Sequence, residues 1–165
     1  KRMTSDGFLV DVFLPELGLG AGVALWSFRA CARGGAKCCA IVRGFQETFG
    51  DRGPKALDQV IALTKTLGTD GGRYIKLAMT GCARVTADEL SIVAVLSSAQ
   101  ARDRALCDAH LSWLLAGPPP QALSATAHEI ADHFSMSGLQ SIAPNLEIKT
   151  QRPPSRRLAV VPGHA

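Results

Sequence analysis

The chain has 165 residues, of which 47% are hydrophobic and 19% charged, and this composition excludes an intrinsically disordered protein and fits one globular domain. Four of the 18 basic residues lie beyond residue 148 with no acidic residue among them, so residues 1–148 carry 14 bases against 14 acids and the net charge of +4 belongs to one end. We therefore predict a neutral domain over 1–148 with an irregular lead-in over 1–16, a flexible basic tail over 149–165, and no membrane span, because no apolar run approaches the ~20 residues that one needs.

The first half of the chain predicts one short strand and three helices. Apolar residues alternate over 8–14 until Pro15, which indicates an extended strand. Apolar spacings of three and four residues predict helices over about 19–33, 36–49 and 53–67, each followed by glycine. The residues predicted to face the core are Leu19, Val23, Trp26 and Ala30 in the first helix, Cys38, Val42, Phe45 and Phe49 in the second, and Leu57, Val60, Ile61, Thr64 and Leu67 in the third.

Two signals near the middle of the chain predict a second strand and the central helix. Alternation over 74–79 predicts a short strand or an extended buried connection; as a strand it would form a minor two-stranded element with 8–14. Thr86 and Glu89 have the spacing of a capping box, in which each side chain accepts a hydrogen bond from the other residue's backbone N–H. The helix that this box starts runs to about Ser98 and is apolar on several faces, so we predict that it is the most buried helix.

The rest of the domain predicts two more helices. They run over about 101–116, ended by Gly117 and three prolines, and over about 124–137, capped by Ser124 and ended by Gly138. The predicted fold class is therefore mainly α, a compact domain of five to six helices with the minor two-stranded element. The residues predicted to face inward are Leu106, His110, Trp113 and Leu114 in the first of these helices and Ala127, Ile130, Ala131 and Phe134 in the second.

The five cysteines, at positions 31, 38, 39, 82 and 107, are an odd number in a chain long enough to form a core without disulfides. This count favours a reducing compartment, so we predict a cytoplasmic protein. Because the spacing contains no C-x-x-C motif, we predict no cofactor. The alternative is a zinc site, an iron–sulfur cluster or a redox thiol formed by Cys82 with Cys38 or Cys39, in which Arg84 would favour the Cys82 thiolate.

Motifs of nucleophilic and nucleotide chemistry are absent from the sequence. It contains no G-x-S-x-G, no P-loop and no dinucleotide-binding fingerprint, so an enzyme is not favoured. His128 and His133 are five residues apart rather than the four of a zinc-protease helix, so we do not predict a shared metal. The glycines at 18, 20 and 22 lack a preceding strand, and we predict that they let the start of a helix approach another backbone segment closely.

Two groups of arginines suggest that the protein binds nucleic acid. Arg102 and Arg104 follow a turn predicted at 98–100, an arrangement typical of a helix-turn-helix, although two aspartates lie among them. In the tail, Arg156 and Arg157 could contact phosphates, or an anionic membrane surface, without sequence specificity. A nucleic-acid-binding regulator is therefore the third functional hypothesis.

Three short features lie between residues 25 and 116. They are Arg29 in the first helix, the Phe45-x-x-x-Phe49-Gly50 ending of the second, and the Cys82-x-Arg84-x-Thr86-x-x-Glu89 opening of the central helix. Together they resemble an uncharacterised family of small helical bacterial proteins. The resemblance implies a helical fold and a role for Cys82 and Arg84. Here the sequence departs from the family pattern, because Cys82 is isolated where the family tends to have a cysteine-rich cluster.

Wide apolar helix faces with few charges predict that a partner covers part of the surface. The main functional hypothesis is a non-enzymatic protein that acts by protein–protein association, as a homodimer or as an adaptor or regulatory subunit. Its interface candidates are Trp26, Phe45, Phe49 and Trp113. The cysteine-based metal or redox protein is the second hypothesis, and the nucleic-acid binder is the third.

Overall fold

The computed structural model describes residues 8–143, so the predicted basic tail over 149–165 lies outside the described residues. Between residues 8 and 143 the chain forms six α-helices and one two-stranded antiparallel sheet, which confirms the predicted fold class. Short 3₁₀ turns at Leu14–Leu17, Gly35–Lys37 and Gly50–Arg52 connect some of these elements. The elements are β1 (Phe8–Phe13), α1 (Gly18–Ala32), α2 (Cys39–Phe49), α3 (Gly53–Thr69), β2 (Arg84–Thr86), α4 (Ala87–Gln100), α5 (Arg104–Leu115) and α6 (Gln121–Met136).

The sheet pairs β1 with β2, so the interpretation of 74–79 as a strand is wrong, and the segment is instead part of the connection between α3 and β2. Side chains, rather than a partner strand, bind its backbone groups. The N–H of Lys76 donates to Asp88 at 2.7 Å, and the N–H of Ala78 donates to Glu89 at 2.8 Å. The carbonyl of Lys76 accepts from the Thr86 hydroxyl at 2.6 Å. Apolar alternation marked this segment but could not show which groups form hydrogen bonds with its backbone.

Helix α4 lies at the centre of the domain. It packs against α1, α5 and α6, while α3 packs against α1, α2 and α6. Eleven of the 14 residues of α4 are buried, which confirms the prediction that it is the most buried helix. The predicted capping box is also present, since the Thr86 hydroxyl accepts from the Glu89 N–H at 3.1 Å and the Glu89 carboxylate accepts from the Thr86 N–H at 3.0 Å.

The predicted face of α1 is confirmed only in part, because three of its four residues are half-buried and pack against the core. Leu19 is 79% exposed, whereas Ala21, Leu25 and Phe28 are buried. Most of α1 is apolar or small, and only its residues 19 and 32 are exposed. A helix that is apolar nearly all round has no single stripe, so the spacing of apolar residues could not orient it.

The start of α1 lies against the segment that follows α6. The Gly20 N–H donates to the Gln140 carbonyl at 3.1 Å, and a Cβ at Gly20 would lie 2.5 Å from that oxygen. Only glycine fits at this distance, which confirms the predicted close approach. Gln100 at the end of α4 holds the same segment, because its side chain donates to the Leu139 carbonyl at 2.7 Å and accepts from the Ser141 N–H at 3.0 Å.

Helix α2 begins at Cys39 rather than at 36, because the preceding residues form a 3₁₀ turn. Cys38 and Val42 were predicted to face inward and are exposed: Cys38 precedes the helix, and Ile41 rather than Val42 continues the buried stripe of Phe45 and Phe49. In α3, Leu63 is buried while Ile61 and Thr64 are only half-buried. The predicted core residues that the structure confirms in these two helices are Phe45, Phe49, Leu57, Val60 and Leu67.

The last two helices also begin elsewhere than predicted. Helix α4 continues to Gln100, so the turn lies at 101–103, and Asp103 caps α5 by accepting from the Leu106 N–H at 3.0 Å. Ser124 does not cap α6, which begins three residues earlier; it is buried, and its hydroxyl donates to Asp108 of α5. The predicted core stripe of α6 is confirmed at Ala127, Ile130, Ala131 and Phe134.

Candidate functional site

A buried ion pair joins α1 to the first turn of α4. Arg29 and Glu89 are 1% and 0% exposed, and the guanidinium meets the carboxylate at two points, with Nε–Oε1 at 2.7 Å and Nη2–Oε2 at 2.9 Å. Such a two-point contact is the strongest geometry for an arginine–carboxylate pair. Both charges are removed from solvent, so they act on the chain around them rather than on a ligand.

The same ion pair organises the loop between α3 and β2. Arg29 also donates to the backbone carbonyls of Cys82 at 2.6 Å and Arg84 at 2.9 Å. Glu89 accepts from the backbone N–H groups of Ala78 and Thr86. These four backbone contacts connect positions from 78 to 86 to one buried centre, which fixes the path of the loop.

Asp88, next to Glu89, connects the first turn of α4 to residues nearer the surface. Its carboxylate contacts Arg73 at 2.7 Å and also accepts from the Lys76 N–H. Arg73 in turn donates from Nε to the Trp113 carbonyl at 2.9 Å, and its guanidinium lies 5.3 Å from the centre of the Trp113 ring. The first turn of α4 therefore helps to position an indole at the end of α5.

The outward side of α5 is apolar. Leu106 and Trp113 are 41% and 42% exposed, so the prediction that both face inward is wrong. The correction follows from a second apolar stripe on α5, because Cys107, Leu111 and Leu114 are fully buried. We call the outward residues the α5 face: Ala105, Leu106, Ala109, Trp113 and Ala116.

The α5 face differs from the outward sides of the neighbouring surface helices. After Arg104 at its first position, α5 has no exposed charged residue. Other described helices place charged residues in the solvent: Arg43 and Glu47 in α2, Lys55, Asp58 and Lys65 in α3, and Glu129 in α6. An exposed helix side with hydrocarbon and without charge is a mark of a protein–protein contact.

A cleft of about 180 Å³ lies beside this region, between α1, α3 and the segment 73–77. Its walls are mostly apolar, and Tyr74 on its lining is 97% exposed. Arg73 also lines it, but its guanidinium is held by Asp88 and the Trp113 carbonyl. The lining therefore offers mainly apolar contact; its apolar residues include Phe28, Leu67, Ile75, Leu77 and Ile92.

The predicted thiol candidates lie on two elements. Cys38 and Cys39 are exposed at the start of α2, and Cys82 is half-buried in the loop before β2. Burial raises the pKa of Cys31, and it is the main cause that raises the pKa of Cys107 to about 11, so these two thiols stay protonated near neutral pH. In the part of the chain that the structure describes, no three His, Cys, Asp or Glu side chains form a group that could hold a metal ion.

The predicted arginine candidates have separate environments. Arg84 lies in β2, and its carbonyl accepts from Arg29. Arg102 forms an ion pair with Asp132 of α6 at 2.8 Å, and Arg104 is exposed at the first residue of α5. The tail candidates, Arg156 and Arg157, lie outside the described residues.

The predicted interface residues divide into buried and exposed ones. Phe45 and Phe49 are in the core, with ring centres 5.2 Å apart, and Phe49 also contacts Phe134 at 5.1 Å, so their assignment to an interface is corrected. Trp26 is half-buried and lies so close to Gly44 of α2 that a side chain there would clash with the indole. Trp113 is the exposed one of the four. Arg73, which contacts Trp113, belongs to no sequence motif, so the sequence did not indicate its role.

The comparisons with known proteins add no relative. No family model matches the chain, and no curated protein or solved structure is significantly similar to it. The resemblance to the helical bacterial family therefore remains a prediction. Across residues 8–143, none of the helices combines the length and the apolar character needed to cross a membrane.

Proposed function

We propose that this protein acts by protein–protein association through the α5 face, and that its partner is a second copy of the same chain. The observation that carries the proposal is the charge-free outward side of α5, where Leu106 and Trp113 expose hydrocarbon to water. Covering such a patch is favourable in proportion to the apolar area removed from solvent. No step of the proposal requires a catalytic group.

Trp113 has the properties of an anchor residue. Tryptophan is enriched among the residues that dominate binding energy at interfaces. Arg73 restrains it through the 5.3 Å contact with the ring and the hydrogen bond to the Trp113 carbonyl, so less side-chain freedom is lost on binding. Leu106, two turns earlier on the same side of the helix, gives the patch a second apolar end.

The arrangement along α5 suits contact with itself. Leu106 and Trp113 lie at equal distances in sequence from the midpoint between Ala109 and His110. In an antiparallel pair of α5 helices related by a two-fold axis at that midpoint, each Leu106 lies opposite Trp113 of the partner subunit. Ala109 lies near the axis and lets the two helices approach closely. No residue of the face is charged, and the Arg73 guanidinium beside Trp113 is paired with Asp88, so like-charge repulsion between two copies is small.

Sedimentation equilibrium over a range of concentrations tests the proposal. We expect the wild-type mass to rise from one chain towards two, and Trp113→Glu to weaken dimerisation by about 30-fold or more, as for a residue worth ~2 kcal/mol or more at an interface. The matched control is Met136→Glu, which places the same charge at an exposed apolar residue of α6. It should dimerise like the wild type.

The arrangement of the dimer is tested by cross-linking. With Cys38 and Cys39 replaced by serine, Ala109→Cys should form a disulfide between two subunits under mild oxidation, because it lies near the proposed axis. Lys65→Cys, exposed on α3, is the control and should not. A wild-type chain that remains monomeric at millimolar concentration contradicts the homodimer, whereas a dimer without the Ala109→Cys cross-link contradicts only the antiparallel pairing.

A further inference from the structure

A second group of polar side chains lies between the start of α3 and the end of α6. Arg52 precedes α3, and its Nη2 donates to the Ser137 hydroxyl, just after α6, at 3.0 Å. Two further nitrogens in this group, Nη1 of Arg52 and Nδ1 of His133, are buried and have no hydrogen-bond partner among residues 8–143. Buried nitrogens without a partner are rare in folded proteins, so their coincidence in one place calls for an explanation.

Two cationic and two acidic side chains act on the His133 ring. Burial is the main cause that lowers the pKa of His133, and the positive charges of Arg52 and Lys55 lower it further. The acidic side chains of α6 near it, Glu129 and Asp132, oppose this by a smaller amount. Both already have partners, because Glu129 accepts from the Gln59 amide of α3, and Asp132 is paired with Arg102 at 2.8 Å.

These donors match the needs of an oxyanion with several equivalent oxygens. The planar guanidinium presents parallel N–H groups that suit phosphate, and the Ser137 hydroxyl can donate its proton while it accepts from Arg52. Lys55 is exposed and adds a charge from the solvent side. Nη1 of Arg52 is buried although the residue as a whole is only partly buried, so an anion reaches this nitrogen only when the long, flexible side chain changes its rotamer.

We propose that Arg52, Lys55, His133 and Ser137 form a binding site for a small phosphate-type dianion, either inorganic phosphate or a soluble phosphate monoester. The anion accepts hydrogen bonds from the guanidinium, from the hydroxyl and from Nδ1–H of the protonated His133 ring. It thereby gives both orphaned nitrogens a partner and pairs with the positive charges of Arg52 and Lys55. The proposal does not depend on dimerisation, since none of the four residues belongs to the α5 face.

The protonation of the His133 ring distinguishes anion binding from a purely structural role, because a structural role would not make the pKa of His133 depend on the anion. If an anion binds beside the ring, its affinity must rise as the ring becomes protonated, and the anion must raise the pKa of His133 by the same free energy. Sulfate is the cleanest probe, because its charge does not change between pH 5 and 8. Inorganic phosphate and glycerol phosphate then show whether a free phosphate or a monoester is preferred.

The experiment follows the His133 ring protons and the amides of Lys55 and Ser137 by NMR at constant ionic strength set with sodium chloride. We expect saturable shifts of these signals with each anion, and an increase of the His133 pKa by about 0.5 to 1 unit in saturating sulfate, which corresponds to about 3- to 10-fold tighter binding to the protonated ring. Shifts that do not saturate by 50 mM anion, or an unchanged His133 pKa, would overturn the site.

Two variants of lysines on one helix separate specific binding from general charge. Lys55→Gln and Lys65→Gln both remove one exposed charge from α3, but only Lys55 acts on His133. We expect Lys55→Gln to weaken sulfate binding about 3- to 10-fold and Lys65→Gln to leave it unchanged. Equal effects of the two variants would show non-specific attraction and overturn the proposal. Arg52→Gln should abolish binding, and Lys55→Gln decides the matter if that variant does not fold.

Discussion

The first turn of α4 and the α5 face reverse the usual distribution of charge and hydrocarbon. The first turn of α4 buries an arginine and a glutamate to within 1% of complete burial, whereas the α5 face leaves Trp113 42% exposed. The charges of Arg29 and Glu89 are satisfied inside the chain, by each other and by backbone groups. No described residue covers the exposed part of the Trp113 indole in the same way. Folding therefore accounts for the buried charge, whereas the exposed hydrocarbon is the feature on which the proposed association depends.

One chain of contacts joins the two regions. Asp88 follows the capping threonine in the first turn of α4 and holds Arg73 at 2.7 Å, and Arg73 holds Trp113. A change in the buried region should therefore reach the surface through Asp88 and Arg73.

The largest expected effect is that of Glu89→Ala. It leaves the Arg29 charge buried without its counter-ion and removes the acceptor of two backbone N–H groups. Breaking a buried ion pair from one side costs about 3–5 kcal/mol, so we expect a loss of this size in the free energy of unfolding, measured by urea denaturation.

The control is Glu47→Ala, which removes an exposed pair with Arg43 of the same N–O distance, 2.7 Å. An exposed i,i+4 pair contributes about 0.3–0.5 kcal/mol, so this variant should be almost as stable as the wild type. If Glu89→Ala costs less than about 1 kcal/mol, solvent must reach the pair, and the contrast between the two regions would not hold.

Arg73→Met tests the connection between the regions. Methionine keeps much of the hydrophobic stem of arginine but removes the contact with Asp88 and the cation over the indole. We expect the dimer to weaken about 3- to 10-fold in sedimentation, from the loss of ~1 kcal/mol of ring contact and of restraint on Trp113. Unchanged dimerisation would show that Trp113 binds without this support.

Local spacing made the start of α4 predictable, but its role depends on distant residues. Thr86 and Glu89 are three residues apart, so the capping box could be found by inspection, and it is present. The partner of Glu89 is 60 positions away at Arg29, and nothing in the spacing of either residue indicates that they meet. Local alternation also marked segment 74–79. It could not show that the side chains of Asp88 and Glu89, rather than a partner strand, accept hydrogen bonds from its backbone.

The α5 face was missed because α5 has two apolar sides. One contains Leu106 and Trp113, and the other contains Leu111 and Leu114. Periodicity alone gives both sides the same weight, and a tryptophan is expected to be inside. The choice is made by the tertiary contacts of α4 and α6, which cover only one side of α5. Trp113 could be identified as an interface candidate from the sequence, but not the direction in which it points.

The smallest effect concerns His110, which is buried on the inner side of α5 beneath the surface that carries Trp113. Burial lowers the pKa of His110 in the folded protein, so the folded state favours the neutral ring. The resulting stability is complete above the unfolded pKa of ~6.5 and is lost as the pH falls from there towards the lower folded pKa.

His133 has a pKa lowered in the same direction, so both residues should make unfolding easier at pH 5 than at pH 7. His110→Gln should reduce this slope in urea denaturation measured across that range, and His110→Gln/His133→Gln should reduce it further. A slope that the single variant leaves unchanged would mean that the His110 ring titrates as freely as in the unfolded chain, and that the inner side of α5 is open to water.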